Sequence, residues 1–173
     1  MAEKMETVYI ADDEAAIREG LKCILDWEAL GFTVCGEAGN GEDALKDILA
    51  LHPTLALIDM RMPGMYGIEV IEKAKAQGYK GTFVILSGYS DFKYAQSAMK
   101  YGVKYYLTKP MDEEELEQVV KEVYASVQAE KQTKQDNDFF RRKSKKEILL
   151  DIINDRVDFN RLNVKELELD AEI

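Results

Sequence analysis

Four short apolar runs in this chain each end in a polar residue of a different chemical kind. Val8-Tyr9-Ile10-Ala11 leads into Asp12-Asp13, Leu55-Ala56-Leu57-Ile58 into Asp59, Phe83-Val84-Ile85-Leu86 into Ser87, and Tyr105-Tyr106-Leu107-Thr108 into Lys109-Pro110. If the runs are parallel strands of one sheet, these side chains meet at its carboxyl edge, where open α/β sheets bind ligands. Three carboxylates, a hydroxyl and an ammonium sharing one shallow site suit the movement of a phosphoryl group. A carboxylate that attacks phosphorus needs its own charge and that of the phosphoryl oxygens offset, which a hard cation such as Mg²⁺ with oxygen ligands does. On this reading Asp12 and Asp13 position the metal, and Asp59 supplies one ligand oxygen and the nucleophilic one. Ser87 donates a hydrogen bond to a phosphoryl oxygen and Lys109 pairs with another. Taken singly, each residue has an ordinary role: an acidic pair caps a helix, and a lysine before proline sits on the surface. Only the joint pattern, four strand ends agreeing in order and place, points to one site.

To bring these ends together the chain must alternate strands with helices. A helical stretch from about Glu14 to Glu28 follows the first run, with Ile17, Leu21, Ile24 and Leu25 near helical spacing. Gly31 breaks the chain before a second strand, Thr33 to Ala38, and Gly39-Asn40-Gly41 marks a turn into a helix with Ala44, Leu45, Ile48 and Leu49 on one face. Pro53 closes that helix. After Asp59 comes the loop Met60-Arg61-Met62-Pro63-Gly64-Met65-Tyr66-Gly67, then a helix over Ile68 to Ala76. Gly88-Tyr89-Ser90-Asp91 offers an N-cap for a helix through about Tyr101, ended by Gly102, and the last strand covers Lys104 to Leu107. Strand and helix in regular alternation imply a parallel sheet covered on both faces, a three-layer α/β sandwich, since right-handed crossovers are nearly obligatory.

Composition narrows the function classes. The 173 residues, 46% of them hydrophobic, can bury the core of one ordinary domain with a few dozen residues left over. A net charge of -10 argues against a broad basic face for nucleic acid. The start Met-Ala-Glu-Lys-Met-Glu has no apolar signal core, and no run approaches the roughly 20 apolar residues of a membrane span, so a soluble, cytoplasmic protein with no membrane partner is expected. Cys23 and Cys35 lack metal or redox spacing and read as reduced structural residues. His52, the one histidine, excludes histidine clusters and reads as a helix-end residue before Pro53.

The strand-end residues together are specific enough for a resemblance. Asp12-Asp13, Asp59 followed by Met60-Arg61-Met62-Pro63-Gly64, Ser87-Gly88 and Lys109-Pro110 resemble the receiver domain of bacterial two-component response regulators, over about residues 5 to 126. The stretches Ile17-Arg18-Glu19-Gly20-Leu21-Lys22, Asp26-Trp27, Gly31-Phe32, Gly36-Glu37-Ala38 with Asn40-Gly41, and Ser87-Gly88-Tyr89-Ser90-Asp91-Phe92 resemble the YesN-type subgroup, which carries an AraC-like helix-turn-helix output domain. The resemblance implies a flavodoxin-like fold with strand order 2-1-3-4-5 and Asp59 as phosphoacceptor for a sensor histidine kinase. It adds the backbone carbonyl of Arg61 as a metal ligand and Tyr106 as an aromatic switch that follows Ser87 inward. It also implies a homodimer formed on phosphorylation. Strand alternation puts Tyr105 on the opposite face from Tyr106. Met111 and Tyr66 depart from the commonest pattern, where phenylalanine and aspartate are frequent. Arg61 and Tyr89, each two residues beyond a site residue, are expected to hang over the site and slow self-dephosphorylation.

The last third opens with Asp112-Glu113-Glu114-Glu115, suited to a helix N-terminus, and then carries an apolar stripe of Leu116, Val119, Val120, Val123 and Val127. Glu130 to Asp138 is wholly polar, an exposed continuation or linker. Phe139-Phe140, the basic run Arg141 to Lys146, and Ile148, Leu149, Ile152 and Ile153 follow. The basic run reads as a solvated helix face, and the isoleucines could pair two chains or cover an output domain. Residues 127–173 are thus expected to be a helical linker toward an absent output domain, through which alone DNA would be contacted. The alternative is a stand-alone receiver that signals by protein contact. An aspartyl phosphatase of the haloacid-dehalogenase type is disfavoured, since such enzymes usually have aspartate two residues after the nucleophile and here that residue is Arg61; the chain is expected to be a phosphoacceptor rather than an enzyme.

Overall fold

The computed structural model describes residues 4–88 and 92–153. The apolar runs form the strands β1 (Glu6–Ala11), β3 (Leu55–Asp59), β4 (Thr82–Ser87) and β5 (Tyr105–Thr108), and β2 (Phe32–Ala38) lies on the outer edge of β1. All neighbours are parallel, in the order β2-β1-β3-β4-β5. The helices are α1 (Ala15–Ile24), α2 (Gly41–Leu51), α3 (Gly67–Ala76), α4 (Phe92–Met99) and α5 (Glu113–Ile153).

Successive strand residues point to opposite faces, so each run feeds two cores. Val8, Ile10, Leu55, Leu57, Val84 and Leu86 pack with Leu21 of α1 and with Leu116, Val120 and Val123 of α5. Tyr9, Ala56, Ile58, Phe83 and Ile85 pack with Ala44 and Ile48 of α2, Val70, Ile71 and Ala74 of α3, and Ala98 of α4. Burial on both faces is why these strands read as continuous apolar runs rather than alternating ones. The result is the flavodoxin-like three-layer α/β sandwich with its strand ends gathered on one edge. Tyr105 and Tyr106 pack against different cores, as alternation requires.

One element differs from expectation. The first helix ends at Ile24 rather than near Glu28. The Trp27 indole is buried and donates from Nε1 to the Leu21 carbonyl at 2.9 Å, while Asp26 Oδ1 caps a separate turn through the Ala29 N–H at 3.1 Å. A side chain thus takes the place of the next turn's main-chain donor. Of the two forms expected for the polar stretch, exposed continuation or linker, it takes the first: α5 runs through it as one helix of 41 residues. That stretch lacks glycine and proline, and local bonds such as Gln132 Nε2 to Asp136 Oδ1 at 2.9 Å support it.

The chain divides into two compact units, Met1–Val127 and Gln128–Ile173. In the second, Phe139 and Phe140 are exposed and meet edge to face at 5.9 Å, and Arg141 to Lys146 are exposed as well. The side chains of Ile148, Ile152 and Ile153 lie outside the described residues, as do the Tyr89-Ser90-Asp91 cap and everything beyond residue 153. His52 is the left-handed C-cap of α2 (φ 45°) and stacks on Tyr79 with centroids 6.5 Å apart. Among the described residues no helix is long and apolar enough to cross a membrane.

Candidate functional site

The carboxyl edge of the sheet gathers the expected groups. Asp12 follows β1 directly and is fully buried, its N–H donating to the Ala38 carbonyl of β2 at 3.1 Å. Its Oδ1 accepts from the Glu14 N–H at 2.9 Å and so holds the start of α1. Its Oδ2, buried and without a well-directed hydrogen bond, has the Lys109 ammonium at 2.7 Å. The same ammonium lies 3.4 Å from Asp59 Oδ1. Lys109 therefore bridges the carboxylates that end two adjacent strands. Its own N–H donates to the Ser87 carbonyl at 2.8 Å, which ties the start of its loop to the end of β4.

Asp59 is the last residue of β3, opposite Leu86 of β4, and only 5% exposed. Close packing holds it there: a Cβ on Gly67 would sit 2.3 Å from the Asp59 carbonyl oxygen, and the Gly67 N–H donates to the Met60 carbonyl at 2.9 Å. Burial pushes the Asp59 carboxyl up to about 6, with nearby Asp12 acting in the same direction; Lys109 and a hydrogen bond from the Arg61 main chain pull against this. Burial dominates. Desolvation penalises the charged form, and one lysine incompletely offsets it. For Lys109 burial lowers the pKa, but its two carboxylate partners outweigh that and leave it raised.

Asp13 is exposed beside Asp12, and carboxylate oxygens of Asp12, Asp13 and Glu14 all lie within 4.8 Å of one another. In the sequence Glu14 stands only as a helix start, and its place directly after the acidic pair is the one signal of its membership in the cluster. The set is all oxygen and carries more negative than positive charge, which fits a hard divalent cation such as Mg²⁺. The Arg61 side chain is exposed, and Tyr89 lies outside the described residues.

Ser87 is fully buried at the end of β4, where its hydroxyl donates to the Gly88 carbonyl at 2.9 Å. The Tyr106 hydroxyl in turn donates to Ser87 Oγ at 3.2 Å. A change in the Ser87 rotamer must therefore disturb Tyr106. Chemically, the edge offers a buried carboxylate, a charge-bridging ammonium, an acidic cluster and a hydroxyl hydrogen-bonded to a tyrosine.

Comparison with known proteins agrees with this geometry. The profile of the response regulator receiver domain matches residues 8–121. Over 123 residues the chain is 41% identical to the transcriptional regulatory protein YesN of Bacillus subtilis, covering 71% of this chain and 33% of that one. It is 36% identical over 110 residues to the nitrate/nitrite response regulator protein NarL of Escherichia coli K12, covering 64% of this chain and 50% of NarL. The receiver domain of AraT, a response regulator from Geobacillus stearothermophilus, superposes with a TM-score of 0.70 at 35% identity, over 73% of this chain and 98% of that structure. The chain thus spans a third to a half of these curated relatives and nearly all of the solved receiver domain. With the sheet order, the strand-end residues and the matched span in agreement, the chain belongs to the response regulator receiver domain family of two-component signalling.

Proposed function

We propose that Asp59 accepts a phosphoryl group from a phosphohistidine of a sensor histidine kinase, in a reaction assisted by Mg²⁺. The observation that carries this is Lys109 Nζ bridging Asp12 and Asp59 at the carboxyl edge of the sheet. An Asp59 carboxylate oxygen attacks phosphorus, the P–N bond breaks, and the imidazole leaves with its electron pair. With a pKa of about 6, Asp59 is largely ionised near neutral pH and competent as a nucleophile. Asp12, Asp13, Asp59 and the Arg61 carbonyl would hold the cation, with Glu14 adjacent. Mg²⁺ held there offsets the charge of the phosphoryl oxygens. Lys109 then pairs with one phosphoryl oxygen, and Ser87 turns from the Gly88 carbonyl to donate to another.

The Ser87 to Tyr106 hydrogen bond supports a switch role for Tyr106. When Ser87 turns toward the phosphoryl group it releases the Tyr106 hydroxyl, and the α4 and β5 surface that carries the ring is re-formed. That is a population shift biased by phosphate. Dimerisation and control of transcription through an output domain, with residues 127–173 as the helical linker, is the reading favoured by the likeness to transcriptional regulators. A stand-alone receiver acting by protein contact is the alternative. The test is intact mass after incubation with acetyl phosphate and Mg²⁺, compared with Asp59→Asn: a single phosphate-sized gain absent from the variant is expected. No gain in either protein would refute the phosphoacceptor assignment.

A further inference from the structure

The acidic loop is braced from outside the site by one side chain. Arg18 lies on the second turn of α1, its side chain 19% exposed, and Nη1 donates to the main-chain carbonyl of Asp12 at 2.7 Å. Its Nε faces Glu37 Oε2 of β2 at 3.4 Å, and Glu37 Oε1 is held by Lys22 Nζ at 3.2 Å. Gly39 leaves room for the guanidinium, since a Cβ there would lie 3.1 Å from Nη1. Helix α1, strand β2 and the loop after β1 are thereby tied through one guanidinium.

The Asp12 carbonyl oxygen belongs to the peptide joining Asp12 to Asp13. A peptide unit is planar, so fixing its carbonyl fixes the direction in which the Asp13 Cα leaves. Asp12 is already held by its N–H, by Oδ1 and by the Lys109 ion pair. Asp13 is exposed, and its carboxylate must find its position by way of the backbone. Groups that orient a metal ligand without touching the metal contribute strongly to affinity because they remove the ordering cost from the binding step.

We propose that Arg18 is the positioning residue of the cation site, its hydrogen bond to the Asp12 carbonyl holding Asp13 in the orientation that takes Mg²⁺. The proposal rests on the Mg²⁺ reading given above. It also has a sign that simple electrostatics does not share. A guanidinium near a divalent cation repels it, so by charge alone removing Arg18 tightens Mg²⁺ binding. If positioning governs, removing it weakens binding.

The experiment is calorimetric titration of the full chain with Mg²⁺, comparing the wild type with Arg18→Ala, Arg18→Lys, Gly39→Ala and Asp13→Asn. Arg18→Ala is expected to weaken Mg²⁺ binding about tenfold, the lower end of the range for losing an orienting partner. Gly39→Ala keeps every charge and displaces the guanidinium only by crowding, so it should weaken binding in the same direction by about threefold, a fraction of that loss. Arg18→Lys keeps the charge and one donor and should fall between the wild type and Arg18→Ala. In acetyl phosphate reactions the Arg18→Ala defect should appear in the Mg²⁺ concentration needed for half-maximal rate, with the rate at saturating Mg²⁺ retained.

Unchanged or tighter Mg²⁺ binding by Arg18→Ala overturns the proposal, including the case in which its urea midpoint falls while affinity holds, which would mark Arg18 as a structural brace. If Asp13→Asn weakens binding and Arg18→Ala does not, only the positioning role fails. If the wild type and Asp13→Asn bind Mg²⁺ alike, the cation-site reading fails and takes the positioning role with it.

Discussion

Replacing Asp59 with asparagine should make the metal-free domain more stable, although it removes the proposed phosphoacceptor. The carboxyl rises from 3.8 to about 6, chiefly through burial. A folded-state pKa above the unfolded value means that the folded state binds the proton more tightly. The stabilisation is complete below the unfolded pKa and is lost as pH rises through the folded pKa. A shift of about two units corresponds to roughly 3 kcal/mol, so above pH 7 the ionised Asp59 costs the fold about that much. Asparagine is nearly isosteric, carries no charge and can still accept through its amide oxygen. Lys109 keeps Asp12 at 2.7 Å as its counter-charge.

Urea unfolding with a chelator present, followed by the fluorescence of the single, buried Trp27, reads the difference directly. At pH 7.5 Asp59→Asn should gain roughly 2–3 kcal/mol, a midpoint shift of about 1 M or more at ordinary m-values. By pH 4 most of the gain should be gone, because wild-type Asp59 is by then protonated in the folded state and partly so in the unfolded. Saturating Mg²⁺ should narrow the gap at pH 7.5 by stabilising the wild type more. The pH dependence carries the reasoning: a gain of equal size at pH 7.5 and pH 4, or none at either, would falsify the view that desolvated charge on Asp59 strains the fold.

Lys109→Ala should leave buried Asp12 without its cation and lower stability by roughly 1–3 kcal/mol, discounted from a fully buried pair because Lys109 is partly exposed; Mg²⁺ should restore much of this, and a chelator-insensitive midpoint would count against the bridge. Gly67→Ala places a carbon 2.3 Å from the Asp59 carbonyl oxygen and should destabilise by more than about 2 kcal/mol while slowing phosphorylation; a midpoint and labelling rate like the wild type's would contradict the packing given for that loop. Tyr106→Ala should weaken phosphorylation-dependent dimerisation measured by sedimentation, and an unchanged response would remove Tyr106 from the switch. Tyr106→Phe keeps the ring and loses one neutral hydrogen bond of about 1 kcal/mol; its effect on the phosphorylation equilibrium should vanish in a Ser87→Ala background, and equal effects in both backgrounds would show that the two residues are uncoupled.

The parts of this structure that were legible in the sequence are those governed by burial and by strand ends. Both faces of the sheet are covered, so Val8 to Ala11, Leu55 to Ile58 and Phe83 to Leu86 had to be apolar throughout, and the polar residue closing each run stood out. What stayed hidden depends on side chains from distant elements. The end of α1 is set by the Trp27 indole reaching the Leu21 carbonyl, an event with no periodic signature. The residues from Glu130 to Asp138 have the composition of a solvated linker and equally of an exposed helix, and hydrophobic periodicity, the usual discriminator, has nothing there to act on. The bridge from Lys109 to two carboxylates and the brace from Arg18 to a main-chain carbonyl are matters of ångströms.

The Lys109 bridge also bears on why metal and phosphoryl group should be taken up together. In the structure the ammonium neutralises Asp12 and partly neutralises Asp59. To pair with a phosphoryl oxygen it must give up some of its hold on Asp12, whose Oδ2 is buried and has no well-directed hydrogen bond. That is unfavourable unless another cation takes over Asp12, the role assigned to Mg²⁺. Conversely, a divalent cation held by Asp12, Asp13 and Asp59, as proposed, would be repelled by the ammonium unless Lys109 had a new anion to meet. On the proposed reading each ligand would remove the penalty that opposes the other, and by linkage the coupling would be equal in both directions. A buried carboxylate of raised pKa, a lysine shared between two aspartates and an acidic loop held from outside would then act as one arrangement, short of positive charge until both proposed ligands were present.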